Sequence, residues 1–329
     1  MMSNKILNWG LLSTAHINAA IIPPLKKSDN SKLLGVASRD SAKAREYAES
    51  WQIPKYYGSY EDLINDPEID VIYNSLPNLL HKEWTIKALN AGKHVLCEKP
   101  IALTVAEVDE MIEASQRNNR VLTEAFMYRH HPQTLKVKEL VNNGAIGNLQ
   151  FLRGSFTFTI SKEYDVRLNK ELGGGSVWDV GCYPVSFFRT ITGVEPIEVF
   201  GQGIPPTNGV DERFYGQLKF PNDVYCQFDS GFRSPFRTRI EIVGDKGSIE
   251  LQAPFKPGEG SEIILTKNDA IEKITFGTID LYAGEIADIN NAILFGTPTL
   301  VSLADSRANT HVINCLYRSA EKGLPTSTI

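Results

Sequence analysis

The pattern of apolar residues changes character once along the chain, at about Gly147, and that change restricts the fold more than any other feature. Up to about Asn148, short β-branched or apolar runs at residues 6–12, 33–38, 71–75, 94–98 and 121–125 alternate with amphipathic stretches at 41–51, 79–91 and 104–118. Strands separated by whole helices cannot pair as hairpins, so this half predicts an α/β, doubly wound parallel sheet with helices on both faces. Beyond Gly147, strand-like runs at 149–160, 197–201, 216–220, 224–231, 238–243 and 248–251 have mainly Pro, Gly and Asn-Asp turns between them. The hairpin punctuation at Pro221-Asn222-Asp223 and Gly244-Asp245-Lys246-Gly247 predicts an α+β part with a large, mostly antiparallel open-faced sheet. Helical patterns at 282–294 and 303–322 close the chain, the second stopped by Gly323.

Two periodicities imply two cores, and 329 residues exceed what one core usually serves. The expected domains are 1–125 and 126–329, with the C-terminal helices packing back on the first. With 42% hydrophobic and 22% charged residues, the chain has too much apolar material for disorder, yet no apolar run long enough to cross a bilayer. Met1-Met2-Ser3-Asn4-Lys5 leads directly into the first strand without a secretory pattern, which predicts a cytoplasmic protein. A net charge of -5, with Lys26-Lys27 the only notable basic run, argues against nucleic acid as a partner. Cys97, Cys182, Cys226 and Cys315 are scattered without zinc or disulfide spacing, and the His130-His131 pair, lacking an acidic partner at ligand spacing, reads as a polar loop before Pro132. No metal is expected.

The first strand gives way to a helix through Ser13-Thr14-Ala15-His16-Ile17-Asn18. A dinucleotide-binding turn carries Gly-x-Gly-x-x-Gly here, and the glycine positions are occupied by Ser13, Ala15 and Asn18. Taken alone, the match fails. Small residues at the first two positions still let backbone N–H groups approach a pyrophosphate at the helix N-terminus, where the dipole favours negative charge. At the end of the second strand, NAD enzymes usually place an acidic ribose reader, whereas this chain has Ser38-Arg39. A hydroxyl followed by a guanidinium suits the 2′-phosphate of NADP. Equally, Arg39 could simply begin a solvated helix beside Asp40.

Context comes from Ala91-Gly92-Lys93-His94-Val95-Leu96-Cys97-Glu98-Lys99-Pro100, preceded by Ser75-Leu76-Pro77-Asn78 and His81. It continues through Glu124-Ala125-Phe126-Met127-Tyr128-Arg129-His130-His131-Pro132 and Gly173-Gly174-Gly175-Ser176-Val177-Trp178-Asp179-Val180-Gly181-Cys182-Tyr183-Pro184. In order and nearly throughout, these segments resemble the glucose-fructose oxidoreductase and inositol dehydrogenase family. Within it the chain is most similar to the dimeric dihydrodiol dehydrogenases and NADP-dependent xylose dehydrogenases, and also to ketoreductases of deoxysugar nucleotides, which have Tyr where inositol dehydrogenases have His. The resemblance implies an NADP-dependent oxidoreductase acting on a sugar or polyol, assembled as a homodimer or homotetramer. It also implies a Rossmann first domain and a second domain that binds substrate and mediates oligomerisation. It places Ser13 to Ile17, Ser38, Arg39, Ser75, Leu76, Pro77, Asn78, His81, Glu98, Lys99, Arg129 and Trp178 around the cofactor, and Lys99, Tyr183 and Asp179 at the reacting centre. A redox-assisted glycosidase that retains NAD and a nucleotide-sensing regulator are its alternatives.

The residue chemistry stands beside the resemblance. A lysine at the carboxyl end of a parallel strand points to where open α/β sheets bind ligands, although a lone Lys-Pro is usually a surface turn. Asp179 and Tyr183, four apart, share one face of a helix, which Pro184 kinks or starts. Without the Glu-Lys-Pro segment, Trp178, Asp179 and Tyr183 would read as an ordinary amphipathic helix, and His81 and Arg129 read as core or capping residues about as readily. A phenol with pKa near 10 is a poor base at neutral pH, but an ammonium about 4 Å away at a dielectric of about 20 contributes on the order of 4 kcal/mol, or roughly three pKa units. Tyr183 then carries the proton, Lys99 polarises the substrate oxygen, and Asp179 orients a neighbouring hydroxyl; the first two roles could be exchanged. Segments 162–172 and 232–239, with Arg167 and Arg237, are expected to set specificity by contacting sugar oxygens or phosphate.

Overall fold

A computed structural model describes residues 5–162, 164–203, 209–268 and 270–329. The expectations on Met1 to Asn4, and on Glu163 in the specificity segment, lie outside the described residues. In chain order the elements are β1 (Leu7–Leu12), α1 (Asn18–Lys27), β2 (Ser31–Ala37), α2 (Ser41–Trp51), β3 (Lys55–Tyr57), α3 (Tyr60–Asn65), β4 (Val71–Asn74), α4 (His81–Asn90), β5 (His94–Glu98), α5 (Val105–Asn118) and β6 (Leu122–Ala125). There follow α6 (Pro132–Asn142), β7 (Leu149–Thr159), α7 (Cys182–Thr192), β8 (Glu198–Gly203), β9 (Arg213–Lys219), β10 (Tyr225–Gly231), β11 (Arg233–Gly244) and β12 (Gly247–Leu251). The chain closes with β13 (Glu262–Lys267), β14 (Ala270–Thr275), α8 (Ala283–Phe295), α9 (Leu303–Lys322) and β15 (Thr326–Ser327). No helix among the described residues is long and apolar enough to cross a membrane.

The chain divides into two compact units, Met1–Met127 with Tyr282–Arg307, and Tyr128–Leu281 with Ala308–Ile329. In the first, strands ordered β3-β2-β1-β4-β5-β6 pair in parallel throughout. The order reverses at β1, which leaves the crevice of a doubly wound sheet at the carboxyl ends of β1 and β4. The strands are apolar on both sides because helices cover both faces, and Leu7, Trp9, Val36, Ile72, Tyr73, Val95 and Leu96 are buried. Gly10 is needed for that cover: a Cβ there would come within 2.9 Å of the Leu63 side chain from α3. Helix starts are fixed locally, by the Asp40 carboxylate accepting the Ala42 and Lys43 amides ahead of α2 and by a Thr104–Glu107 capping box ahead of α5.

The second unit holds a sheet ordered β14-β13-β12-β11-β7-β10-β9-β8-β15. Its pairings are antiparallel except that of β7 with β10. One face alternates inward: Leu152, Gly154 and Phe156 of β7 and Thr238, Ile240 and Ile242 of β11 are buried. Helix α7 packs there, since a Cβ on Gly154 would meet Ile240, Pro184 and Phe188 at 2.8–3.2 Å. The expected turn at Asn222-Asp223 has positive φ at both residues, and Gly244 pairs with Gly247 across the other hairpin. The short β3 and α3, α6 and the edge pair β13–β14 go beyond the elements expected from the sequence. His130 and His131 do not form a polar loop: His130 ends a single 3-10 turn, and the buried His131 caps α6 by accepting the Gln133 amide. Pro132 explains the correction, because proline is at home in the first turn of a helix, where its missing N–H is not needed.

Candidate active site

In the first unit the candidate residues gather where β1, β2, β4 and β5 end. Ser13 stands in place of the first fingerprint glycine and adopts φ 108°, a conformation that glycine takes without strain and serine does not. Side chains hold it there. The Ser13 amide donates to the Ala37 carbonyl at 3.1 Å, its carbonyl accepts from Asn18 Nδ2 at 2.8 Å, and its hydroxyl accepts from the Ala15 amide at 3.1 Å. Ser75 Oγ lies 3.0 Å from Ser13 Oγ and donates to Asn18 Oδ1 at 2.8 Å, with Asn18 fully buried. The residues that break the glycine motif therefore rebuild its turn with hydrogen bonds. The amides of Thr14, His16 and Ile17 donate to no group among the described residues, and they precede α1, where the helix dipole is positive.

At the second strand's end, Arg39 directly precedes Asp40, the N-cap of α2. Ser38 is buried and its hydroxyl accepts the Asp40 amide at 3.2 Å, while Asp40 caps α2. Arg39 stays exposed beside the Tyr60 hydroxyl, opposing the upward push of burial on that phenol.

Lys99 follows the last residue of β5, and the Lys99–Pro100 peptide is cis. The Glu98 carboxylate accepts the Tyr73 hydroxyl and, at 3.2 Å, the Lys99 amide. His81 is fully buried with Nδ1 2.7 Å from the Pro100 carbonyl and Nε2 2.7 Å from the Leu76 carbonyl, so its ring ties the Ser75-Leu76-Pro77-Asn78 segment to the turn after β5. Burial holds its imidazole below the usual histidine range. Glu285 on α8 is 2% exposed, neither of its carboxylate oxygens has a hydrogen-bond partner, and burial, with Glu98 nearby, pushes it well above the ordinary carboxylate range.

In the second unit, Val177–Gly181 forms a π turn that runs directly into α7. The sequence spacing predicts an α-helical face for Asp179 and Tyr183; the wider π turn takes up the missing N–H of Pro184, the third residue of α7. Asp179 Oδ2 accepts Arg167 Nε at 2.8 Å. Tyr183, 3% exposed, lies among the rings of Tyr128, Phe156 and Phe255, with centroids 5.3–5.8 Å away. Arg129 is buried and its Nη1 donates to Ser186 Oγ at 3.4 Å. The Trp178 ring lies 5.6 Å from that of Tyr317.

Two family models match the chain. One, an oxidoreductase family with an NAD-binding Rossmann fold, covers residues 7–126, and the other, the GFO/IDH/MocA C-terminal domain, covers 134–250. The chain belongs to the GFO/IDH/MocA oxidoreductase family. It is 32% identical to a D-xylose 1-dehydrogenase (NADP(+)) of Haloferax volcanii over 96% of this chain and 98% of that protein. It is 35% identical to a trans-1,2-dihydrobenzene-1,2-diol dehydrogenase of Xenopus laevis over 74% of each. The crystal structure of an aldose-aldose oxidoreductase from Caulobacter crescentus superposes with a TM-score of 0.91 at 27% identity, over 98% of this chain and all of that one, 100%. This family member is an NAD(P)-dependent dehydrogenase or reductase.

Sequence reasoning on this GFO/IDH/MocA chain missed Asp165, Asp211, Glu285 and Tyr317. Asp211 Oδ2 accepts the Ser176 hydroxyl at 2.6 Å and the Val177 amide at 2.9 Å, and Oδ1 accepts the Tyr317 hydroxyl. Together with the Trp178–Tyr317 contact, this seats the turn that carries Asp179 and leads to Tyr183. The glycine run was the legible signal. A Cβ on Gly174 would stand 2.4 Å from the Arg167 carbonyl oxygen, and Gly175 has φ 129° with Asp211 Oδ1 2.6 Å from its missing Cβ. Gly175→Ala is therefore expected to destabilise the protein by about 2 kcal/mol or more, combining backbone strain with loss of the Asp211 seat. Denaturant melts of the two proteins check this; an unchanged midpoint would show that the seat yields without penalty.

Proposed function

We propose that this chain transfers a hydride between NADP and the carbinol or carbonyl carbon of a sugar, polyol or related diol. The observation that carries the reading is the donor set at the strand ends of the first unit. Three amides with no acceptor among the described residues precede α1, an exposed Arg39 follows β2 where an acidic ribose reader would repel a 2′-phosphate, and Lys99 follows β5. Thr14, His16 and Ile17 would hold the pyrophosphate; Ser38 and Arg39 the adenosine 2′-phosphate; and the Ser75–Asn78 segment, Glu98, Arg129 and Trp178 the remainder, with His81 bracing from below. Bound NADP supplies the hydride acceptor for oxidation, or the donor for reduction. During oxidation the C–H electron pair leaves the carbinol as hydride and the O–H proton passes to the Tyr183 phenolate oxygen. The Lys99 ammonium polarises the substrate oxygen and stabilises that phenolate, and Asp179 orients a neighbouring hydroxyl. The name of the Haloferax relative, which specifies both xylose and NADP, supports the same cofactor and substrate class.

The reading includes a cytoplasmic homodimer or homotetramer, the domain division expected from the sequence, and no metal. Incubation with NADPH or NADP and a panel of aldoses, ketoses and cyclic diols tests the function, with cofactor absorbance as readout. Catalytic turnover supports it. Absence of turnover, with cofactor retained through gel filtration, would replace it with a closed-cycle glycosidase or a sensor. Within the reading, Arg39→Ala is expected to raise KM for NADPH about tenfold and leave KM for NADH unchanged, since only one of the two cofactors carries the phosphate. Parallel steady-state titrations of both cofactors measure this.

A further inference from the structure

The sequence offers Arg167 and Arg237 as contacts for sugar oxygens or phosphate, and the structure engages both with carboxylates. Arg167 Nε donates to Asp179 Oδ2 at 2.8 Å and its Nη1 to Asp165 Oδ1 at 3.2 Å, with the guanidinium carbon 5.8 Å from the Phe158 ring centroid. One cation thus stands between two largely buried anions. Arg237 donates from both terminal nitrogens to Asp229 at 3.0 and 3.2 Å, and its parity on β11 is opposite to that of the buried Thr238 and Ile240. It therefore faces away from α7 and Tyr183. Lys162 and Lys170, the other cations of the 162–172 segment, are exposed, where a phosphate contact is weakened by screening.

Beside this anion-rich group runs a line of aromatic rings. It starts at Tyr183, passes through Phe156 at 5.3 Å and ends on Phe236, which meets Phe156 edge-on at 6.4 Å. Phe236 lies where the register of β11 shifts between Arg233 and Arg237, and although its ring meets the buried Phe156 it is 66% exposed. An exposed ring at the end of a buried aromatic line is a surface on which the C–H face of a cyclic molecule can stack while its hydroxyls reach polar groups.

We propose that the surroundings of Tyr183 select an uncharged cyclic substrate, which lays an apolar ring face on Phe236, and disfavour phosphorylated analogues at this end. The proposal rests on the hydride-transfer function above. Asp165 and Phe236 are its specificity residues: the first withholds Arg167 from an anion and the second receives the ring.

The test compares kcat/KM of the full-length protein for a neutral aldohexose, its 6-phosphate and a cyclic vicinal diol. The neutral compounds are expected to be preferred over the phosphate by about 10²-fold. Asp165→Asn should narrow that gap about tenfold by releasing one partner of Arg167. Phe236→Ala should raise KM for the cyclic substrates about tenfold with kcat within about twofold, because uniform binding is lost rather than transition-state stabilisation. Preference for the phosphate, with neutral sugars idle, would overturn the proposal and leave hydride transfer standing. If Phe236→Ala left KM unchanged but altered the gel-filtration mass, the ring would belong to a contact with a second copy, and the proposal would fall. Turnover of none of the three compounds would overturn this refinement, while the hydride-transfer function stands or falls on the wider substrate panel above.

Discussion

Replacing Tyr183 with Phe is expected to lower kcat by about 10²-fold or more while cofactor affinity stays the same. The substitution removes one oxygen and keeps the ring that packs against Tyr128, Phe156 and Phe255, so the apolar contacts of α7 persist. Its effect on folding should be small, and a matching melting temperature separates lost chemistry from lost structure. NADPH binding, followed by energy transfer from protein tryptophans, should be unaltered, because the amides of the β1–α1 turn and Arg39 belong to the other unit. A variant that turned over at the rate of the unmodified protein would take the proton-transfer role away from Tyr183, whatever the substrate.

The parallel half of the fold was legible because strands covered on both faces read as continuous apolar runs, and the helices between them carry one polar side. In the second half the hairpin turns announced the sheet, whereas β14 escaped because most of its residues are exposed and its sequence, Ala-Ile-Glu-Lys-Ile-Thr, lacks an inward alternation. β3 has three residues, too few for any periodicity. At the site, the Ser13-Ala15-Asn18 triplet was readable as a failed glycine motif, but its repair was not. Asn18 bonds back to Ser13 only five residues away, but the Ser75 hydroxyl that holds Asn18 comes from the end of another strand, and separation along the chain conceals it. Asp211 and Tyr317 were hidden for the same reason: they reach the π turn from 34 and 139 positions beyond Val177 and Trp178. The consecutive glycines were the only local trace of that crowding. Arg167 shows the converse case, because the sequence marks a guanidinium in a specificity segment but not the two aspartates that engage it.

Lys99→Met should have the largest effect, a fall in kcat of about 10³-fold, since on the proposed function it removes the positive charge that stabilises an oxygen on which negative charge develops. Methionine keeps most of the length of the side chain and leaves the bond from the Lys99 amide to the Glu98 carboxylate and the His81 contact with Pro100 intact, so the turn after β5 should hold its shape. On the proposed function the ammonium favours the phenolate, so its removal moves the alkaline rise of the oxidation rate to higher pH. Lys99→Arg retains the charge and should leave the limb closer to its original position while recovering only part of the rate. The decisive comparison adds Tyr183→Phe to Lys99→Met. Two groups acting on one oxygen lose less together than the product of their separate losses, whereas independent roles multiply. A multiplicative double variant, with the pH limb unmoved in Lys99→Met, would show that the lysine and the phenol serve different steps, and the shared acid–base assignment would have to be abandoned.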